Sequence, residues 1–387
     1  MANPRGFQTI VALQTQQATD LLLAPALNSD NVLQNQMGIY YVMTGVKDKR
    51  KMLHLSKPSN SLKPKSGCKK WDANVRYKLN ADEITVCSFE VEGEMCADEF
   101  DAGCLRNLQG AGSLVNSMAV PGLDEMQMAS LLLLREGLTD DIYKIAYFGD
   151  EDFQGDNYMF FGDFADMDSD NRAAMQRMLR HCNGWWKEIA NRVNETDPDT
   201  KVAYVDSYDG TNKASDPTKV IAFLEQLYAA ADPVLQYWNK SKPNSEWPVY
   251  LVDQDIYNAY IQYLRAHGDL QSYALIVNGT PVPNVYTFNG YPIMAVPEWR
   301  MFDAETKALN SDGTSKNLRA MFVAKEVLSV ASDVSSAPSA VNGEGIIVQV
   351  SPSIKDKGAV ATYMALKLGF GIAHNKLIVA SWNSTEA

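Results

Sequence analysis

The sequence predicts an α+β fold, and three observations carry that prediction. Short apolar runs rich in strand formers, such as Val249 to Val252, are closely bounded by residues such as Pro248 and Asp253. Helical spacing follows directly: Ile256, Tyr260, Ile261 and Leu264 recur at helical intervals between Asp253 and His267, and Gly268 supplies a stop. Near the C-terminus, Val360, Thr362, Met364, Leu366, Leu368, Phe370 and Ile372 alternate on one face of an extended strand. With 387 residues, 46% of them hydrophobic, the chain is long enough for two or three structural units and a sizeable core.

In chain order, residues 1–37 read as a polar arm rich in Gln and Asn, with Phe7, Ile10, Val11, Gln14 and Ala18 at partly helical spacing. A strand-like run, Gly38 to Val46, and an alternating one, Ile84 to Val91, flank a turn-rich segment. A helix follows Pro121-Gly122 and continues to Tyr147, stopping at Phe148-Gly149-Asp150. Asp163, Asp166, Asp168 and Asp170 resemble a calcium loop, but its sixth position is Asn171 and its twelfth Arg177, so an acidic cap on a helix from Asn171 to Val193, with Ser169 or Asp170 as N-cap, fits better. Asp216-Pro217 starts another helix, with Val220, Phe223, Leu224, Leu227 and Tyr228 on one face. Asn278-Gly279 and Asn289-Gly290 mark two turns between strand-like runs. Gly369 and Gly371 predict a bulge or bend in the C-terminal strand, and a helix over Tyr363 to Phe370 is the competing reading. Lys376 to Trp382 forms one further strand.

Charge is unevenly distributed. The net charge is −12, which excludes a coat that neutralises phosphate over its whole surface and suits a protein kept monodisperse before association. Yet Lys47 to Lys78 carries eleven cations, including Lys47, Lys49, Arg50, Lys51, Lys63, Lys65, Lys69 and Lys70, against Asp48 and Asp72 alone. The segment is therefore +9, and the remainder is −21, the difference between −12 and +9. Leu79 to Leu105 then holds eight acids and no Lys or Arg. The flanks and turn formers describe a long hairpin with a cationic tip, and a lone hairpin needs a surface to lie on. A solvated basic loop and a nucleic-acid-binding arm are the other readings. Trp71 and Tyr77 are few aromatics for a stacking platform.

Other chemistry is sparsely encoded. Five cysteines without a CxxC pair and without a secretory start predict free thiols, and the short ligand spacing of a zinc site is missing beside His181 and Cys182. No metal and no cofactor are expected. There is no GxSxG, HExxH, Walker A or GxGxxG, so no catalytic residue is assigned. No run approaches the roughly 18 consecutive apolar residues of a membrane span, and the sequons match by chance in a chain expected to stay in the cytoplasm.

The stretch Asn289-Gly290-Tyr291-Pro292-Ile293, Val296-Pro297-Glu298-Trp299, Asn317-Leu318-Arg319 and Ala331-Ser332-Asp333, following the strand–helix module, resembles a tailed-bacteriophage major capsid protein of the Hong Kong 97-type capsid fold. So does Ile145 to Asp150, which is similar to the end of that family's spine helix. The resemblance implies an N-terminal arm over 1–37, an extended E-loop over 38–92 lying across a neighbouring subunit, a peripheral domain with spine helix over 93–200, an axial domain over 201–320, and return strands to the peripheral domain over 321–387. Val296 to Trp299 would form a loop. The implied role is a structural subunit, not an enzyme. It would self-assemble as hexamers and pentamers into an icosahedral virion head, built in the host cytoplasm, that encloses double-stranded DNA without sequence-specific binding and without a membrane. Portal, scaffold and decoration proteins are its implied partners. An encapsulin-like nanocompartment shell, with the same fold, and a cytoplasmic α+β enzyme are the alternatives. The lysines and arginine named above become candidate inter-subunit contacts. The residues of that family's Lys–Asn crosslink find no match.

Overall fold

The structure is a computed structural model that describes residues 40–43, 45–55, 79–96, 137–138, 140–153, 157–158, 162–163, 167, 169–197, 200–206, 214–236, 247–268, 274–277, 280–310, 313–325, 327–333, 347–352 and 359–383. The expected N-terminal arm, the first part of the helix expected after Pro121, the expected hairpin tip with Lys63, Lys65, Lys69 and Lys70, and Asp166 and Asp168 of the acidic run lie outside them.

Strands β1 (Tyr40–Met43), β2 (Lys49–Leu55), β3 (Leu79–Thr85) and β4 (Cys87–Cys96) come first. Helical residues 140–148 (α1) follow, then the short pair β5 (Asn157–Tyr158) and β6 (Gly162–Asp163). Next come α2 (Ser169–Leu179), α3 (Trp185–Val193), β7 (Ala203–Asp206), α4 (Val220–Ala229) and α5 (Pro233–Gln236). The order continues with β8 (Val249–Val252), α6 (Gln254–His267), β9 (Ala274–Val277), β10 (Thr280–Phe288), β11 (Tyr291–Ala295) and α7 (Pro297–Glu305). It closes with β12 (Ala320–Val323), β13 (Leu328–Ser332), β14 (Ile347–Pro352), β15 (Ala359–Ile372) and β16 (Ile378–Trp382).

Two main sheets organise these elements. One has seven strands in the order β7-β16-β12-β8-β11-β10-β9. Its centre, β8 and β12, is buried at every position, as expected for strands covered on both faces. Asn289 and Gly290 both take positive φ, 49° and 82°, and close the β10–β11 hairpin where the sequence places an NG turn. Asp253 caps α6 by accepting from the Asp255 N–H at 3.0 Å, and Gly268 ends it at φ 72°.

The other sheet has five strands and is built around β15. One edge of β15 pairs with β4 from Ala359 to Leu368; the opposite edge pairs first with β14 and then with β13, which also pairs with β1. Leu366, Leu368, Phe370 and Ile372 are buried, so the predicted face holds where it is described. The helical alternative for 363–370 is excluded.

Helices and aromatics fuse the two sheets into one core. Tyr147 of α1 meets Trp185 of α3 at 4.9 Å and Trp299 of α7 at 5.4 Å, both edge-on. Trp186 meets Trp299 at 5.3 Å and Trp382 of β16 at 6.1 Å, and Trp185 reaches Phe370 of β15 at 5.7 Å. These buried rings contribute area and preferred edge-to-face geometry together.

Several expectations change. The helix expected over Asn171 to Val193 is two helices, separated at Arg180–Gly184. A Cβ at Gly184 would lie 2.5 Å from the Ile145 carbonyl oxygen, so this close approach to α1 requires glycine and breaks the helix. Ser169 and Asp170 lie within the first turn of α2 rather than before it. The helix expected at Asp216-Pro217 begins at Val220, while Asp216 orders the preceding turn through Thr218. The Val296–Trp299 segment is the start of α7 rather than a loop, because Pro297 occupies a first-turn position that needs no N–H. Residues 87–92, expected in the E-loop, pair along β15. Strand β16, expected among the return strands of 321–387, pairs with β12 and β7 in the seven-stranded sheet rather than with the strands around β15. Gly369 and Gly371 sit in continuous register with no bulge. Cys87 and Cys182 are joined as a disulfide rather than free. Proximity in the fold decides this pairing, and 95 residues of separation hide it from the sequence.

Candidate assembly surfaces

The basic segment begins as one strand of a two-stranded antiparallel ribbon. β2 pairs with β3 in register from Lys49–Thr85 to Leu55–Leu79, outside both main sheets. Lys47, Lys49, Arg50 and Lys51 are all exposed at its base. Lys49 Nζ lies 3.0 Å from Glu83 Oε1 across the ribbon, and that hydrogen bond, with the carboxylate charge, raises the Lys49 ammonium above its ordinary value. The structure therefore brings Lys47, Lys49, Arg50 and Lys51 together. It does not describe Lys63, Lys65, Lys69 and Lys70.

The ribbon base is seated rather than loose. Met43, Val46, Met52, Ile84, Val86 and Ala331 form a small core of their own beneath it. The Val86 N–H donates to the Asp48 carbonyl at 2.9 Å, the Val46 N–H to Ser332 at 2.9 Å, and Lys367 Nζ to the Lys47 carbonyl at 3.0 Å. Gly369 and Gly371 present a face of β15 without side chains, and the ribbon base fills it. A Cβ at Gly369 would come within 2.2 Å of the Thr85 carbonyl oxygen, and one at Gly371 within 2.6 Å of the Ile84 side chain. The two glycines permit this crossing and do not bend the strand.

Arg192 locks the same junction, a role that its place in a sequence pattern does not disclose. It is 8% exposed. Its Nη1 donates to the Ile372 carbonyl at 3.1 Å and to Asn375 Oδ1, and lies 3.7 Å from Asp82 Oδ2 on β3. Glu188 sits 3.8 Å from its Nη2; burial pushes that carboxyl up, against the opposing pull of Arg192. Of the acids in the 79–105 stretch, Asp82 is half-buried beside Arg192, Glu83 is exposed and pairs with Lys49 across the ribbon, and Glu90 and Glu92 are exposed on β4. Among the described residues β4 has no strand on its outer edge, and charged side chains along such an edge discourage unwanted pairing.

A second charged constellation lies inside the molecule. Arg319 is wholly buried, and its Nη2 and Nη1 reach Asp303 Oδ1 and Oδ2 at 2.6 and 3.1 Å. The guanidinium also stands 4.9 Å over the Phe148 ring. Asp303 accepts from Ser315 Oγ as well. Asp253 Oδ2 lies 4.0 Å from Arg319 Nη1, beyond hydrogen-bond reach. Burial first, and then the Asp303 charge, raises the Asp253 carboxyl to about 7. Asp255 completes the cluster by accepting from Arg300 Nη1 at 3.1 Å and from the Ser315 N–H at 2.7 Å. This arrangement ties the start of α6, the end of α7 and the entry to β12 together. Its charges are used up in holding three chain segments in register.

A cavity of about 110 Å³ lies between α1 and α7, lined by Tyr143, Tyr147, Phe148, Phe302 and Glu305 among others. Lys144 Nζ is held by Glu305 Oε2 at 2.7 Å. Among the described residues no helix is long and apolar enough to cross a membrane.

Two sheets share one core with helices packed between them, and the chain has the Hong Kong 97-type capsid fold. The chain is similar to a subunit of the satellite phage P4 procapsid that includes the size determination (Sid) protein, at 10% identity and TM-score 0.51, covering 94% of this chain and 90% of that one. Other similar structures are the capsid of Myoviridae phage XM1 (12% identity, TM-score 0.44, covering 91% and 92%) and the holo-SrpI encapsulin complex from Synechococcus elongatus (9%, 0.42, covering 89% and 84%). The fold assignment rests on the first. No protein-family model matches the sequence, and no curated protein matches it.

Proposed function

We propose that this chain is the subunit of a closed icosahedral protein shell, the major capsid protein of a tailed double-stranded DNA phage, assembling as hexamers and pentamers. The observation that carries the reading is the fold likeness over 94% of the chain. The ribbon that carries cations outside the common core supports it. In this reading the five-stranded sheet with α1 is the peripheral domain, and the seven-stranded sheet with α4 and α6 is the axial domain facing the symmetry axes. The β2–β3 ribbon is the base of the E-loop, and its tip, with Lys63, Lys65, Lys69 and Lys70, reaches the neighbouring subunit. The exposed acids Glu90 and Glu92 on the β4 edge belong to the surface that receives it.

The division of labour follows from the packing. The two sheets share one core, so the body moves as a unit, while the ribbon holds to it through one small cluster and a few charged contacts. A stiff body with one outlying arm can tile a curved surface: the arm specifies which neighbour is engaged, and the body sets the angle. Individual exposed ion pairs contribute about 0–1 kcal/mol each. Repeated around a shell they bias register and encounter rate. The buried charges at Arg319 and Arg192 serve the fold, which supports a structural rather than an enzymatic role. Portal, scaffold and decoration proteins are the expected partners, and the packaged DNA is held without sequence-specific contacts. The protein is expressed alone and with its neighbouring open reading frames, and the product is sedimented and imaged in negative stain. Closed shells support the reading, and shells filled with DNA select a phage head. Shells filled with a protein cargo select an encapsulin-like compartment instead. A monodisperse subunit under every condition contradicts both.

A further inference from the structure

Cys87 and Cys182 lie at a junction that the shell reading does not use. Cys87 opens β4, one residue past Val86, where the ribbon passes into the five-stranded sheet. Cys182 sits in the turn between α2 and α3. The two are 95 residues apart in sequence, but their Cα atoms are 5.9 Å apart and their sulfurs are joined. That separation is within the range a disulfide requires. Backbone contacts fix both ends. On the turn side, the Asp150 N–H donates to Leu179 and the Gly184 N–H to Gly149, each at 2.8 Å. A Cβ at Gly149 would lie 2.1 Å from the Cys182 carbonyl oxygen, so the turn is pressed against the end of α1. On the strand side, Cys87 pairs with Leu368 and Val86 is tied to Asp48. Cys182 is 2% exposed, whereas Cys87 is only partly buried, so a dissolved reagent meets Cys87 first.

We propose that Cys87 and Cys182 form a redox-responsive staple that fixes the ribbon base to the helical body, open in a reducing compartment and closed by exchange with a small-molecule disulfide. The Cys87 thiolate attacks one sulfur of that disulfide, breaking its S–S bond and releasing one small thiol. The mixed disulfide left on Cys87 is then attacked by the Cys182 thiolate, which forms the protein S–S bond and expels the second small thiol. Two electrons pass from the protein to the added disulfide. The two protons leave the cysteines and end on the two released thiols. A resolving thiol held in place by the turn favours closure over survival of the mixed disulfide. The consequence is local: the staple joins the residue after Val86 to the turn that packs on α1, so closing it stiffens the ribbon's point of attachment. It requires no neighbouring subunit, and its failure would leave the shell reading untouched.

Glu151 Oε1 lies 3.9 Å from Cys87 Sγ, so the reduced pair and this carboxylate also make a three-donor set for a divalent metal such as zinc. The test distinguishes the two. The full chain is purified with reductant, equilibrated against a series of oxidised and reduced glutathione ratios, quenched in acid, denatured, alkylated and mapped by mass spectrometry. Zinc is measured on the undenatured sample. Hydrogen exchange is followed over residues 79–93. The expected result is a Cys87–Cys182 linked peptide that vanishes in reductant, with amides of that segment exchanging about tenfold more slowly in the oxidised chain. Cys87→Ser and Cys182→Ala should each remove the difference and match the reduced wild type. Reduction of the wild type needs no substitution, so a poorly folding variant leaves the test intact. A linked peptide absent at every ratio, a persistent mixed disulfide, identical exchange in both forms, or one equivalent of zinc shielding both thiols overturns the proposal.

Discussion

Replacing Gly369 by Ala should unseat the ribbon, whereas the same change at Gly371 should be far milder. The new methyl at position 369 would lie 2.2 Å from the Thr85 carbonyl oxygen and 3.1 Å from the Val86 Cα, both backbone atoms. An ordinary carbon–oxygen contact needs about 3.3 Å, so the ribbon base must lift by roughly 1 Å. A gap of that size forfeits about a quarter to a half of each dispersion contact it opens. The contacts at stake are those of Met52, Ile84 and Val86 with the sheet. Alanine returns about 0.4–1 kcal/mol by restricting the unfolded chain. The net expectation for Gly369→Ala is a loss of about 1–3 kcal/mol, the usual range for overpacking. At Gly371 the obstacle is the Ile84 side chain, which can shift within its small cluster more readily than a backbone atom, so the loss should stay near or under about 1 kcal/mol. Urea denaturation gives the stabilities, and hydrogen exchange over residues 79–86 reports the seat itself. The argument fails if Gly369→Ala matches wild type in both, or if Gly371→Ala is the more damaging of the two.

Three further outcomes follow from the charged contacts. Arg319→Met leaves Asp303 and Asp253 buried without their cation and should cost about 3–5 kcal/mol in urea denaturation; a cost near zero would show that the pair is not buried as described. Asp253 ionises near 3.8 when unfolded and near 7 when folded, so the unfolded chain binds fewer protons between those values and stability falls as pH rises from about 4 to about 7. Asn at 253 keeps the α6 cap and removes the titration, so Asp253→Asn should flatten the dependence of urea midpoint on pH between about 4 and 7 relative to wild type; an unchanged slope would mean another group governs it. Reversing Lys63, Lys65, Lys69 and Lys70 to Glu should impair assembly without lowering subunit stability, and wild-type assembly should weaken with added salt as screening grows; normal assembly of the fourfold variant at low salt, measured by light scattering, would make those charges a solvated face.

Local rules made part of this fold legible. The strand Val249–Val252, the Asp253 cap, the Gly268 stop and the Asn289-Gly290 turn each depend on neighbours in sequence, and each lies where residue chemistry puts it. The flanks of the basic segment, Gly38–Val46 and Ile84–Val91, do contain strands, but β1 and β4 there pair with β13 and β15, and the ribbon is made by β2 and β3 between them. Long-range packing decided the rest. Gly184 and Gly369 are glycines because another backbone crosses them, at α1 and at Thr85, and a sequence reader sees only a helix interior or a potential bulge. The Arg319–Asp303 pair is 16 residues apart and the Arg192–Ile372 contact 180, with no spacing rule to announce either. Cys87 and Cys182 were hidden in the same way. β16 joins β12 and β7 and brings Trp382 onto Trp186 in the shared core, a long-range arrangement that strand propensity does not announce. The candidate contact residues were legible as a charge cluster, but the exposure of Lys47, Lys49, Arg50 and Lys51 and the pairing of Lys49 with Glu83 required the fold.

A cryo-electron microscopy reconstruction of the assembled product tests the central claim most directly. The account predicts a closed icosahedral shell of hexamers and pentamers in which the β2–β3 ribbon leaves its own subunit at the Gly369–Gly371 seat and its cationic tip lies on an acidic surface of the adjacent one. A particle in which that ribbon folds back onto its own subunit, or a protein that forms no shell and whose density is a single compact body, would contradict it.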